Sequence, residues 1–255
     1  MDSTLAPDLA ARRRARAIAL NRWVYRLSQH WFPWTIALLS LWVILPWLAP
    51  VFMRWGWEGP ARAIYGLYSL QCHQLPQRSY FLFGPQVSYP LEQIQSLWKA
   101  TFDPRILRQF VGDASLGFKV AWSDRMVSAY SSIPLAGFLW WPFRKRLRPL
   151  SLGGLILLAL PMAIDGGTHV LSDLVGLGQG FRYTNAWLAT LTQNSLPPSF
   201  YAGDALGSFN SWMRLVTGVL FGFGVGWLLF PNLYLAFSDT ARAIEAKFDS
   251  AGVEL

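Results

Sequence analysis

The run Phe32-Pro33-Trp34-Thr35-Ile36-Ala37-Leu38-Leu39-Ser40-Leu41-Trp42-Val43-Ile44-Leu45-Pro46-Trp47-Leu48-Ala49-Pro50-Val51-Phe52-Met53 decides the architecture. It carries no charge, and only Thr35 and Ser40 interrupt its apolar character. A helix needs about 20 such residues to cross a bilayer, so residues 32–53 read as a first span. Three further uncharged runs follow. Residues 126–143 form the second, with a kink expected at Pro134. Residues 150–171 form the third and stay uncharged until Asp165, and residues 215–237 form the fourth. The expectation is an all-α integral membrane protein with four transmembrane helices.

Composition agrees with a bilayer environment. Of 255 residues 53% are hydrophobic and 14% charged, against about a quarter charged in a soluble domain. This rules out a disordered chain, a nucleic-acid-binding tail and an ordinary cytosolic enzyme. The net charge of +8 is concentrated in short basic blocks beside apolar runs, a pattern suited to anionic lipid and not to nucleic acid. With one cysteine, Cys72, there is no intrachain disulfide.

Orientation follows from Lys and Arg near the span ends. Residues 1–31 form a basic arm with Arg12, Arg13, Arg14, Arg16, Arg22 and Arg26, and Arg144-Lys145-Arg146-Leu147-Arg148 joins spans two and three. Both should face the cytoplasm, and four spans return the tail, residues 238–255, to the same side. Residues 54–125 and 172–214 then lie outside. The arm reads as an amphipathic helix in the headgroup layer, with Leu9, Ile18, Trp23, Val24, Leu27 and Trp31 among its arginines, or as a solvated positive flank. It lacks the apolar core of a secretory signal.

The first outer segment is too long to be structureless. Residues 61–71, following Pro60, and a stretch opening at Pro90 with Leu91, Ile94, Leu97 and Trp98 read as short helices. Between them Tyr80-Phe81-Leu82-Phe83 is closed by Gly84-Pro85. These pieces form a partly helical cap over the outer span ends. Gly218, Gly222 and Gly226, at intervals of four, share a face for close helix packing.

Ionisable groups at membrane depth are costly, which singles out Asp165. Asp165, His169 and Asp173 fall on one helical face, fit for a metal, a proton relay or a hydrogen-bonded strut. Alternatively Gly166-Gly167 unwinds the helix and Asp165 caps the freed amides. Adjacent Cys72 and His73 are soft-metal ligands, with His169 the obvious third donor, or serve structure alone.

The stretch Cys72-His73-Gln74-Leu75-Pro76-Gln77-Arg78-Ser79-Tyr80-Phe81-Leu82-Phe83-Gly84 resembles the signature of an uncharacterised prokaryotic membrane family, domain of unknown function 2085. Ile164-Asp165-Gly166-Gly167-Thr168-His169 is similar to its Ile-Asp-Gly-x-Thr-Gln element. Asn210-Ser211-Trp212-Met213-Arg214-Leu215-Val216-Thr217-Gly218 is similar to its Asn-x-x-Arg-x-x-Thr-Gly element. The family's Cys-x-Arg-Cys-x-Gly-x-Tyr element corresponds to Ser123-Asp124-Arg125-Met126-Val127-Ser128-Ala129-Tyr130, which keeps Arg125 and Tyr130 but neither cysteine. The resemblance thus implies a divergent member in which a four-ligand site has lost half its ligands, located in a prokaryotic inner membrane.

The candidate site is the set Cys72, His73, Arg78, Arg125, Asp165, His169 and Arg214, which the topology brings to one side of the membrane. Three functions remain open. One is a structural or accessory component of a larger membrane assembly, whose partners are the lipid bilayer and other membrane subunits, with no nucleic acid. A second is a membrane enzyme or metal-handling protein, and the third a small-solute transporter. The sequence leaves any cofactor unknown, with Cys72, His73 and His169 as the possible metal ligands.

Overall fold

The computed structural model describes residues 5–255, so the first four residues of the expected arm lie outside the described residues. The chain is mostly helical. Helix α1 (Leu5–Gln29) carries the arginines, and α2 (Trp31–Arg54) carries the first apolar run. The outer segment holds α3 (Glu58–Tyr68), a 3-10 turn (Pro76–Arg78), β1 (Ser79–Leu82), α4 (Leu91–Leu97), α5 (Pro104–Leu107), β2 (Gly112–Asp113) and β3 (Gly117–Ser123). Then come α6 (Asp124–Trp140), a 3-10 turn (Trp141–Phe143) and α7 (Leu152–Asp173). The short α8 (Phe181–Thr184), α9 (Ala186–Leu191) and α10 (Pro198–Tyr201) precede the long α11 (Phe209–Ala251).

Three helices, α2, α7 and α11, are long and apolar enough to cross a membrane. Their outward faces display Trp34, Leu38, Leu157 and Leu171, an apolar surface that a water-soluble protein would bury. The expected second span is the exception to the four-helix reading. Helix α6 has 17 residues, about 26 Å at the helical rise against a hydrocarbon core of about 30 Å. It begins at a charged residue, Asp124, and passes into the tighter turn at Trp141-Pro142-Phe143.

Helices α6 and α11 run parallel in close contact. A methyl group on Gly218 would collide with Ser128, one on Gly222 with the Ala129 carbonyl, and one on Gly226 with Ala136. Helix α7 returns antiparallel beside α11, where Leu155 and Leu158 cover Gly224. The Trp227 carbonyl, which loses its helical donor because Pro231 has no N–H, accepts a long bond of 3.5 Å from the Leu150 amide. At the end remote from the cap, Trp31, Phe32, Trp140, Trp141 and Phe230 form an aromatic cluster, with Phe32 stacked on Trp141 at 3.9 Å.

One expectation needs correction. The fold is not all-α, because the cap contains a three-stranded antiparallel sheet of order β1-β3-β2. Ser79 pairs with Ser123, Phe81 with Lys119 and Gly112 with Phe118. Every residue of β3 is buried, so the strand shows none of the alternation that marks a half-buried strand. Most of residues 238–255, expected as a tail, continue the helix of the last run. Helix α11 starts at the Ser208 cap and continues to Gly252, whose φ of 61° ends it. Its last turns pack on α1, where Tyr25 donates to Glu245 at 2.8 Å and Arg22 to the Glu254 carbonyl at 2.7 Å. The arm therefore lies at least partly against protein.

The cap is fastened to α2. Pro46 leaves the Trp42 carbonyl without its helical partner, and the buried Tyr68 hydroxyl donates to it at 2.6 Å. Tyr68, Trp122, Ala49 and Cys72 share one apolar core, while Phe81, Tyr89, Ile94 and Phe110 build a second beneath α4.

Candidate functional site

The charged residues meet where the cap closes over the helix ends. Asp124 and Arg125 open α6, Asp165, His169 and Asp173 project from the last turns of α7, and Arg214 stands in the second turn of α11. Arg78 closes the first 3-10 turn, while Arg182 and Asp204 come from the loop between α7 and α11. Helix α7 continues unbroken through Gly166-Gly167, so the unwound alternative does not occur. Gly166 has a packing reason instead, since a methyl group there would sit 2.7 Å from Arg125 Nη1.

Two sets of ion pairs result. In the first, Asp165 takes Arg125 on one oxygen at 2.6 Å and Arg182 on the other at 2.5 Å. In the second, Arg78 donates from Nη1 and Nη2 to both Asp173 oxygens, at 2.8 and 3.0 Å, and from Nε to Asp204 at 2.7 Å. Arg214 joins this set by donating from Nε to Asp124 and from Nη1 to Asp204, both at 2.8 Å. Burial alone would raise the Asp204 carboxyl, but Arg78 and Arg214 hold it well below the usual carboxylate range.

Polar side chains complete the frame. Asn210 donates to the Arg182 and Gly203 carbonyls at 2.6 and 2.9 Å, and Asn185 donates to the Arg182 and Tyr201 carbonyls at 2.7 Å each. The fully buried amides thereby fix the loop that delivers Arg182 and Asp204. The Asn210–Gly218 motif thus divides its work: Asn210 holds the loop, Arg214 binds two carboxylates, and Gly218 admits α6.

A cavity of about 380 Å³ lies against this cluster, with His73, Arg78, Arg125, His169 and Arg214 in its wall. Asp165 stands behind Arg125 and is buried. His73 is exposed, but to the cavity, so its ring remains surrounded by protein. Burial, then the guanidiniums of Arg78, Arg214 and Arg125, push its pKa down to about 3, and the imidazole is neutral at pH 7.

The structure separates Cys72 from its neighbour. Cys72 points into the core beside Tyr68 and Trp122, where its Sγ accepts the Gln74 and Ser123 amides at 3.3 Å each. It does not line the cavity that His73 faces. Among the described residues no three His, Cys, Asp or Glu side chains are grouped to hold a metal ion. The Cys72, His73, His169 ligand set therefore does not assemble in this arrangement.

Sequence reasoning missed Arg182, Asp204 and Asp124, and it missed Lys119 on β3. Lys119 is fully buried and donates to the Gln74 and Arg108 carbonyls at 2.9 and 2.6 Å. Burial pushes its ammonium down to about 7, Cys72 opposes this, and Arg108 adds to it.

Residues 114–228 match the family of predicted membrane proteins called domain of unknown function 2085. The matched segment takes in Arg125, Asp165, His169, Arg182, Asp204 and Arg214, whereas Cys72, His73 and Arg78 precede it. An uncharacterized protein of Methanocaldococcus jannaschii is 29% identical over 156 residues, covering 57% of this chain and 76% of its own. No solved structure matches.

Proposed function

We propose that this chain, similar to the predicted membrane proteins of domain of unknown function 2085, is a four-span protein of a prokaryotic inner membrane. Both ends lie in the cytoplasm, and the chain serves as a structural or accessory component of a larger membrane assembly. The basic arm and the Arg144–Arg148 block supply the orientation. Helix α6 with its terminal turn supplies the fourth crossing, seated against α11 on one face while Leu135, Phe138 and Leu139 are exposed on another.

One observation carries the accessory role. The guanidiniums of Arg78 and Arg214 and the carboxylates of Asp124, Asp173 and Asp204 are spent on one another. They tie the cap, the outer loop between α7 and α11, and three helices into one block. Such a network supports a rigid platform better than a reaction centre, whose groups need free valence. The metal-handling alternative finds no support in this geometry, because Cys72 and His73 face different environments.

Extraction of the full-length chain from native membranes in a mild detergent tests the role. The expected result is a second, foreign membrane subunit in constant stoichiometry through two orthogonal purification steps. Recovery of the chain alone at native expression level would reject it.

A further inference from the structure

We propose that the cavity beneath the cap binds a phosphate-type oxyanion between Arg125, His73 and His169, either as a free ion or as the headgroup of an anionic lipid. The argument rests on donors that have no acceptors. Arg125 uses one of its three nitrogens, Nη2, on Asp165, and its buried Nε has no partner.

The two histidines are held in definite tautomers by what faces them. His73 Nδ1 accepts the Leu75 amide at 3.1 Å, so in the neutral ring the proton sits on Nε2, which has no partner within the protein. His169 Nε2 faces Arg182 Nη2 at 3.2 Å. A guanidinium only donates, so this nitrogen is the acceptor and the proton sits on Nδ1. That N–H is buried and has no acceptor. His73 therefore brings a free N–H to the cavity, while the orphaned Arg125 Nε and His169 Nδ1 donors lie buried in the side chains that form its wall.

The charges point the same way. Arg125 and Arg182 share one carboxylate, Asp165, which leaves a positive excess local to Arg125, although the second set, with two guanidiniums against three carboxylates, brings the whole cluster to neutrality. The acid that lines the cavity, Asp173, has both oxygens on Arg78. A cation entering the cavity would meet an under-neutralised guanidinium, whereas an oxyanion would supply acceptors to unsatisfied N–H groups in a place of low dielectric, where charge-assisted bonds are strong. A volume of about 380 Å³ falls in the range of small-ligand sites. Phe102, Val170 and Leu177 in the wall provide apolar contact for whatever the anion is attached to.

The test uses the purified full-length chain. Isothermal titration is run with inorganic phosphate in detergent, and separately with the chain in phosphatidylcholine nanodiscs against those doped with phosphatidic acid, read by thermal midpoint. Saturable binding of inorganic phosphate identifies a free-ion site, and stabilisation by phosphatidic acid alone identifies a headgroup site. In either case Arg125→Gln and His73→Phe should weaken the effect at least tenfold, while Arg62→Gln, an exposed pair with Glu58, should leave it unchanged. If Arg125→Gln does not fold, His73→Phe decides, since His73 accepts only the nearby Leu75 amide. Absence of both effects in the unaltered chain, wild-type response in His73→Phe, or equal loss in Arg62→Gln overturns the proposal.

Discussion

Asp165 is the single carboxylate between the buried Arg182 and the half-buried Arg125, and the energetics of this set turn on it. Asp165→Asn keeps the shape but leaves Arg125 and Arg182 uncompensated, which should cost about 3–5 kcal/mol, as for other broken buried pairs. Adding Arg182→Gln should recover part of the loss, because the two residues are in direct contact. Unfolding in mixed micelles checks both, and strict additivity would show that the pair does not act as a unit. Lys119 gives a second prediction. Its folded pKa of about 7 lies below the unfolded value of about 10.4. Between these values the unfolded chain binds more protons, and stability rises with pH. The thermal midpoint should climb from pH 7 to 9.5 in the wild type and flatten in Lys119→Met. A fall over that window would contradict the assignment. Asp165 was legible in the sequence, since an acid in an apolar run requires a partner, but the motifs left Arg125 and Arg214 equally eligible; the fold gives it Arg125 and sends Arg214 to Asp124 and Asp204. Arg182, Asp204 and Lys119 were not legible, because a charge in a loop or short strand reads by default as solvated. Only the fold turns these three inward.

At the scale of the element, the contact between α6 and α11 is set by glycines. Gly222→Ala drives a methyl group to 2.1 Å from the Ala129 carbonyl oxygen, a backbone atom, whereas Gly224→Ala meets Leu155 and Leu158 side chains at 3.1–3.3 Å. The first should destabilise by about 1–3 kcal/mol, as overpacking does, and the second by clearly less, since leucine side chains can yield. Equal midpoints for the two variants would mean that the helices part freely. The glycine face was readable because spacing by four survives in any helix. The sheet was not, since β3 is buried on both faces and carries a lysine at its centre. The tie from Tyr68 to the carbonyl freed by Pro46 was also hidden, because nothing in the sequence links positions so far apart.

For the whole molecule, the sidedness of the chain is the quantity to measure. In a Cys72→Ser background, Lys145→Cys should resist a membrane-impermeant thiol reagent in intact cells and react after permeabilisation. Labelling without permeabilisation would reverse the proposed orientation. Charge bias and apolar length were enough to place the long helices along the chain, yet they said nothing of how far α11 runs, because its last turns are polar and read as a tail. That length has a mechanical consequence. Arg214, seated among the carboxylates, and Glu245, bonded to the N-terminal helix, ride on the same rod about 46 Å apart at the helical rise. A tug on the N-terminal helix is therefore transmitted as a tilt to the seat of Arg214. Pro231, which lacks an N–H midway along the rod, is the joint at which that lever gives.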